Sequence, residues 1–179
     1  MSTYIAFLRG INVSGKNLIK MKDLENYISE LKFSGVKTYI QSGNIVFKTK
    51  ETDTLVLRNL IREKITEKTG FEIEVIIKNA EQIFEIIKAN PFSNRADSVY
   101  ENLYVTLTEK IPEKDLLARI ADLKFENDEF VVVRDVIYLC CKKGYGKSKL
   151  SNTFFESKLK LKATTRNWKT MNALAGLTE

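Results

Sequence analysis

A short polar segment near the N-terminus, residues 9–17, contains residue types that bind anions. It reads Arg-Gly-Ile-Asn-Val-Ser-Gly-Lys-Asn and follows an apolar run, residues 4–8, that predicts a strand. Glycines in such loops allow backbone N–H groups to turn toward an anion, and cations add electrostatic attraction. The candidate ligand-binding residues of this segment are Arg9, Gly10, Asn12, Gly15, Lys16 and Asn17.

The spacing Gly10-x-x-x-x-Gly15-Lys16 matches most of a nucleotide-binding P-loop, but three features disfavour that function. Asn17 replaces the hydroxyl residue that binds Mg²⁺, and the next helix is predicted to begin only near Met21. A hairpin also follows the first crossover, which is the wrong order for a parallel nucleotide-binding sheet. Two interpretations stay open: an anion site of another kind, or a loop whose glycines and asparagines only stabilise its own backbone.

Two more polar motifs occur downstream. Ser42-Gly43-Asn44 joins two predicted strands, 36–41 and 45–49, as a hairpin turn does. With a right-handed crossover the first two strands run parallel, so residues 9–17 and this turn should meet at one sheet edge. The third motif, 164–170, is predicted to begin a helix whose first turn favours anions. These motifs add the candidate residues Ser42, Gly43, Asn44, Arg166 and Asn167.

The three motifs together resemble a bacterial family of proteins known as domain of unknown function 1697. The matching segments are 8–17, 38–47 and 164–170, and their order and spacing fit over nearly the whole chain. The resemblance implies a bacterial, cytosolic α+β protein built from two ferredoxin-like halves. It implies neither a substrate nor a cofactor.

Hydrophobic periodicity predicts the elements that must position these motifs. The first half reads β-α-β-β-α-β, with strands at 3–9, 36–41, 45–49 and 71–77 and helices at 21–32 and 54–68. The second half reads β-α-β-β-α, with a strand at 103–107, a hairpin at 129–142, helices after Pro112 and Ser151, and a last helix that begins at Thr164 or Thr165.

The predicted fold class is therefore α+β, with two ferredoxin-like βαββα(β) halves, antiparallel sheets and an extra C-terminal helix. The predicted boundaries place the first half at 1–78, a linking helix and loop at 79–99, and the second half with its basic helices at 100–179.

Positive charge is concentrated at the C-terminal end. Residues 142–179 contain nine Lys or Arg against two Glu, a net charge of +7, whereas residues 1–141 carry −1. Such a segment indicates a phosphate, nucleotide or nucleic-acid partner, or simply a solvated lysine-rich surface. Arginine, whose guanidinium can donate two hydrogen bonds to one phosphate, occurs there only as Arg166.

Several chemistries are disfavoured by composition. The chain contains no histidine, which excludes His-based triads and His-containing zinc sites, and no metal or cofactor is predicted. No apolar run approaches the roughly 18 residues of a membrane span, and no N-terminal signal pattern occurs. We therefore expect a cytoplasmic protein without a membrane partner.

The leading functional hypothesis is a binder of an anionic ligand, either a nucleotide-like small molecule or RNA, at a face formed by the three motifs. One alternative is a small-molecule enzyme that uses Lys or Ser at the same loop, for example Lys16 with Ser42. Another is that the motifs are purely structural. Ferredoxin-like sheets also bind RNA, but no aromatic-rich strand of the kind that stacks bases is present.

The two cysteines are adjacent, Cys140-Cys141, and neighbouring strand residues point to opposite faces, so they should not bridge each other. We predict that titration of denatured, unreduced protein counts two free thiols per chain. A count of zero in protein purified without oxidant would contradict this.

Overall fold

Two four-stranded antiparallel sheets, one from each half of the chain, form the framework of the protein. The computed structural model describes all 179 residues. Contacts within the chain define unit 1, Met1–Phe84 with Leu174–Glu179, and unit 2, Glu85–Ala173.

Unit 1 has the predicted β-α-β-β-α-β order. Its sheet runs β2-β3-β1-β4, and each neighbouring pair is antiparallel. Because β3 lies between β1 and β2, those two strands are parallel and end at the same edge, as the sequence predicts. The elements are β1 (Ser2–Arg9), α1 (Met21–Ser29), β2 (Ser34–Tyr39), β3 (Asn44–Thr49), α2 (Thr54–Thr69) and β4 (Glu74–Asn79), followed by α3 (Ala80–Lys88).

One face of this sheet packs on α1 and α2. Alternate β1 residues Tyr4, Ala6 and Leu8 share a buried cluster with Leu24 of α1 and Ile61 of α2. The N-cap of helix α2 is Asp53, whose side chain accepts hydrogen bonds from two N–H groups of the first turn. This core fixes β1 and α1, the two elements between which the 9–17 segment runs.

Unit 2 repeats the topology with the sheet order β6-β7-β5-β8. Its core is a second buried cluster that includes Ile120, Leu139 and Phe155. Its elements are β5 (Leu103–Thr108), α4 (Lys114–Ala121), β6 (Asp128–Val133), β7 (Val136–Cys141), α5 (Asn152–Leu159), β8 (Ala163–Asn167) and α6 (Trp168–Gly176). The protein is thus α+β, with two similar βαββαβ halves and a C-terminal helix.

The last helix begins at Trp168, so the start predicted for it at Thr164 or Thr165 is wrong. These residues lie in β8, which pairs with β5, and the hydroxyls of Thr106 and Thr165 are 2.7 Å apart. β-branched side chains suit strands as well as helix caps, and pairing with β5 decides between the two. The actual cap is Asn167, whose Oδ1 accepts a hydrogen bond from the Thr170 N–H, 2.7 Å away.

Both cysteines are free thiols, as predicted, and both are buried in β7. Burial raises the pKa of each thiol, that of Cys141 to about 11, so neither is prepared as a thiolate nucleophile. No group of three acidic, histidine or cysteine side chains is arranged to hold a metal ion. None of the helices combines the length and the apolar character needed to cross a bilayer.

An arginine joins the segment before β5 to the sheet of unit 2. The Arg95 guanidinium donates hydrogen bonds to Asp97 (2.6 and 2.9 Å) and to Glu129 (2.8 Å). Hydrogen bonds from Arg95 lower the pKa of both carboxyls in the folded state. A lowered folded-state pKa stabilises the protein above the ordinary pKa, and this contribution is lost as pH falls.

We therefore predict that Arg95→Ala flattens the acid side of the stability profile. The free energy of unfolding, measured by urea denaturation, should fall less in the variant than in the wild type between about pH 6 and about pH 3. Arg119→Ala, which removes an exposed arginine of α4, is the matched control and should keep the wild-type slope. If the free energy of unfolding fell equally with pH in all three proteins, Arg95 would not be the cause of the lowered carboxyl pKa values.

Candidate functional site

The 9–17 segment is a miniature β-hairpin. The N–H of Lys16 donates to the carbonyl of Val13 at 3.0 Å, and the N–H of Asn12 donates to the carbonyl of Asn17 at 3.2 Å. Ser14 and Gly15 occupy its tip with φ values of 51° and 74°, as a type I′ turn requires. The glycine before the lysine therefore shapes a hairpin turn, and the segment is no P-loop.

Asn12 ties this hairpin to the rest of unit 1. Its Oδ1 accepts from the N–H of Ile19 at 2.9 Å, and its Nδ2 donates to the carbonyls of Ile19 (2.9 Å) and Gln41 (3.0 Å). Both amide hydrogens are thereby used. Asn17 acts similarly, because its Nδ2 donates to the carbonyl of Gly10 at 3.0 Å. The asparagines of the motif hold the loop in place rather than present free amides.

The turn at 42–44 meets the hairpin directly, so the predicted convergence of these two segments is confirmed. The Leu8 N–H donates to the Gly43 carbonyl at 2.8 Å. Gly43 also packs so closely that an added Cβ would lie 2.5 Å from Cδ1 of Ile11 and 3.0 Å from Cβ of Leu8. The Nδ2 of buried Asn44 donates to the carbonyl of Tyr39 at 2.8 Å. Gly43 and Asn44 thus serve packing and are closed to a ligand.

The remaining predicted residues of unit 1 differ in accessibility. Gly15 and Lys16 are exposed at the hairpin, whereas Arg9, Gly10 and Ser42 are partly buried. The hydroxyl of Ser42 accepts a hydrogen bond from the Asn44 side chain at 3.3 Å. Lys16 is therefore the cation that the hairpin presents to solvent.

The third motif lies in unit 2, and its arginine is not on the surface. Arg166 is 5% exposed, and its Nη1 donates to the Thr164 hydroxyl (2.8 Å) and the Thr165 carbonyl (2.9 Å). Burial lowers its pKa to about 10. The predicted position of Arg166 at the start of a helix is wrong, because the residue lies in β8, which pairs with β5. Asn167 is exposed but caps α6.

A cavity of about 470 Å³ opens beside the hairpin in unit 1. Asn12 of the hairpin and Gln41 of the turn both line it, so it adjoins the two motifs that converge. Sequence reasoning missed the rest of its wall, which comes from the segment before α1, from α1 itself and from the end of α2. The other lining residues are Leu18, Ile19, Lys20, Met21, Asp23, Tyr27 and Thr69.

The start of α1 contributes a partial positive charge to this cavity, whereas the formal charges of its lining, one lysine and one aspartate, cancel. Lys20 is the N-cap of α1 but no side chain caps the helix there, and the first helical hydrogen bond runs from Leu24 to Lys20. The N–H groups of the first turn carry a partial positive charge that favours an anion. Lys20 adds a full charge, and Asp23 opposes it within the same wall. One signal was visible in the sequence: two apolar residues, Leu18 and Ile19, directly follow the polar segment, and Leu18 is 66% exposed where it lines the cavity.

Gly15 and Gly43 are glycines for different physical reasons, and this predicts different costs of substitution. Gly15→Ala meets no atom within 4 Å and should lose only the penalty for positive φ, about 1–2 kcal/mol. Gly43→Ala has a similar φ but clashes with Ile11, so it should cost a further ~1–3 kcal/mol. Urea denaturation of both variants provides the comparison, and equal losses would contradict the packing role of Gly43.

Comparison with known proteins agrees with this architecture. The chain is similar over its whole length to the structure of the conserved bacterial protein SP0830 from Streptococcus pneumoniae. The TM-score is 0.78 at 20% sequence identity, and the match covers 99% of this chain and 98% of that one. No curated protein matches the sequence. A family model described as a protein of unknown function, DUF1697, matches residues 1–138. The chain therefore belongs to the DUF1697 family.

Proposed function

We propose that unit 1 binds a small organic anion in the cavity beside the hairpin. The observation that carries this proposal is that the cavity adjoins both converging motifs through Asn12 and Gln41. The anchoring bonds of Asn12 give that wall a fixed shape before any ligand arrives, which reduces the ordering cost of binding.

The size and lining of the cavity fit a small molecule. Its volume of about 470 Å³ falls within the roughly 300–1,000 Å³ of ordinary ligand sites. Leu18, Met21 and Tyr27 supply apolar surface, while the exposed Gln41 supplies an amide for hydrogen bonds. Such a mixture suits a ligand with an apolar body and one charged end.

The charges favour an anion at the α1 end. Lys20 and the first-turn N–H groups of α1 attract a carboxylate or phosphate, and Lys16 adds positive charge from the hairpin. Asp23 would accept a hydrogen bond from a hydroxyl or amino group of the same ligand. A hydroxy acid, an amino acid derivative or a phosphorylated alcohol meets these requirements.

The same geometry accounts for the motif residues whose polar groups or packing are already used within the protein. Asn12, Gly43 and Asn44 are needed to hold the hairpin and the turn together, so the structural role and the binding role are carried by different residues. Binding of RNA to the sheet surface is less well supported. The β1 side chains Ile5 and Phe7 point away from the α1 and α2 core, but they are also fully buried, so this face of β1 is not open to stack bases. Free, buried thiols support the cytoplasm as the location.

We predict that some carboxylates or phosphates of this type raise the melting temperature of the protein in a thermal-shift screen. For a compound that does so, Lys20→Ala should weaken binding by about 1.5–3 kcal/mol, the contribution of a hydrogen bond to a charged group, with little change in the melting temperature of the free protein.

Lys22→Ala is the matched control, since Lys22 is an exposed neighbour on α1 that does not line the cavity. It should bind as the wild type does. The proposal fails if no such anion stabilises the protein, or if Lys22→Ala loses as much affinity as Lys20→Ala.

A further inference from the structure

Two loops of unit 2 bring four lysines around a second cavity, of about 240 Å³. One loop, residues 122–127, connects α4 to β6, and the other, residues 142–151, connects β7 to α5. The lysines that line the cavity are Lys124, Lys143, Lys147 and Lys149. None of them is a motif residue, and the cavity lies in a different unit from the site proposed above.

The two loops are fastened to each other. The N–H of Lys142 donates to the carbonyl of Asn127 at 3.0 Å, and the hydroxyl of Ser148 donates to Asp128 at 2.7 Å. The Ser148 hydroxyl also accepts from the N–H of Leu150 at 2.9 Å, and the N–H of Gly144 donates to the carbonyl of Cys141 at 2.8 Å. The lysines therefore project from a backbone that is fixed on both sides of the cavity.

The positive charge in the cavity is not balanced by its acidic neighbours. Four lysines face two carboxylates, Glu126 and Asp128, and Asp128 already accepts the Ser148 hydrogen bond. The nearby Glu129 pairs with Arg95 and Lys142, neither of which lines the cavity. Like charges held in one place destabilise a protein unless an ion of opposite charge joins them.

We propose that this cavity binds the phosphate groups of a ligand, as a diphosphate or a phosphodiester. Lysine ammonium groups bind phosphate as point charges with several donors, and three of the four come from one short loop. The volume lies below the roughly 300–1,000 Å³ of sites that enclose whole small molecules. The cavity thus suits the charged end of a ligand whose remainder lies outside, on the surface.

Inorganic pyrophosphate is the probe, titrated into the full-length protein by calorimetry at low ionic strength. We expect binding that Lys147→Ala, and separately Lys143→Ala, each weaken about tenfold, the equivalent of losing one charge-assisted contact. Lys142→Ala is the matched control: it is the immediate neighbour of Lys143 but is paired with Glu129 at 3.9 Å, and it should retain wild-type affinity. Lys20→Ala should also retain it, which separates this site from the one in unit 1.

Absence of pyrophosphate binding, or equal losses in Lys142→Ala and Lys147→Ala, would overturn the proposal. A second titration with a short single-stranded RNA identifies the source of the phosphate. Tighter RNA binding that falls steeply with salt and is weakened by Lys147→Ala supports a polynucleotide backbone. Pyrophosphate binding without RNA binding supports a free phosphorylated molecule.

Discussion

The Gly43 backbone lies against Leu8 and Ile11 with no room for a side chain, and the candidate site of unit 1 depends on this contact. It joins the end of β1 to the turn between β2 and β3, which the sheet order places at one edge. The hydrogen bond from Leu8 to Gly43 fixes the separation of the two segments. Asn12 can then reach the backbone of Gln41, and both residues line the cavity.

Within the first motif, the structural and the accessible residues alternate along the chain. Asn12 and Asn17 turn inward to backbone carbonyls, whereas Lys16, between them at the hairpin, faces solvent. A segment that only closed a loop would need the asparagines and the turn glycine but not an exposed lysine. The asparagines therefore explain the rigidity of the loop, and they leave Lys16 and the α1 start as the groups available for chemistry.

Sequence periodicity predicted most of the fold because each half has clear alternation and clear helix stops. The 54–68 helix was placed within a residue of its bounds, and the helix after Ser151 begins at Asn152 as predicted. The error at Thr164 and Thr165 arose because a threonine pair suits both a cap and a strand, and only the partner strand β5 decides. The cavities could not be predicted for a related reason. Their walls combine residues such as Tyr27, Gln41 and Thr69, which are far apart in the sequence and meet only in the folded protein.

The basic C-terminal segment shows why net charge along a sequence does not define a binding surface. Arg166, its sole arginine, is buried in β8, and Lys142 is paired with Glu129. The lysines between β7 and α5 instead converge on a cavity with Lys124, which lies outside the basic segment altogether. The fold thus divides five of the nine cations of this segment between a buried strand, an ion pair and a cavity, and it leaves the other four exposed on the surface. Only the cavity concentrates positive charge where a phosphate could enter, because two linked loops hold it there.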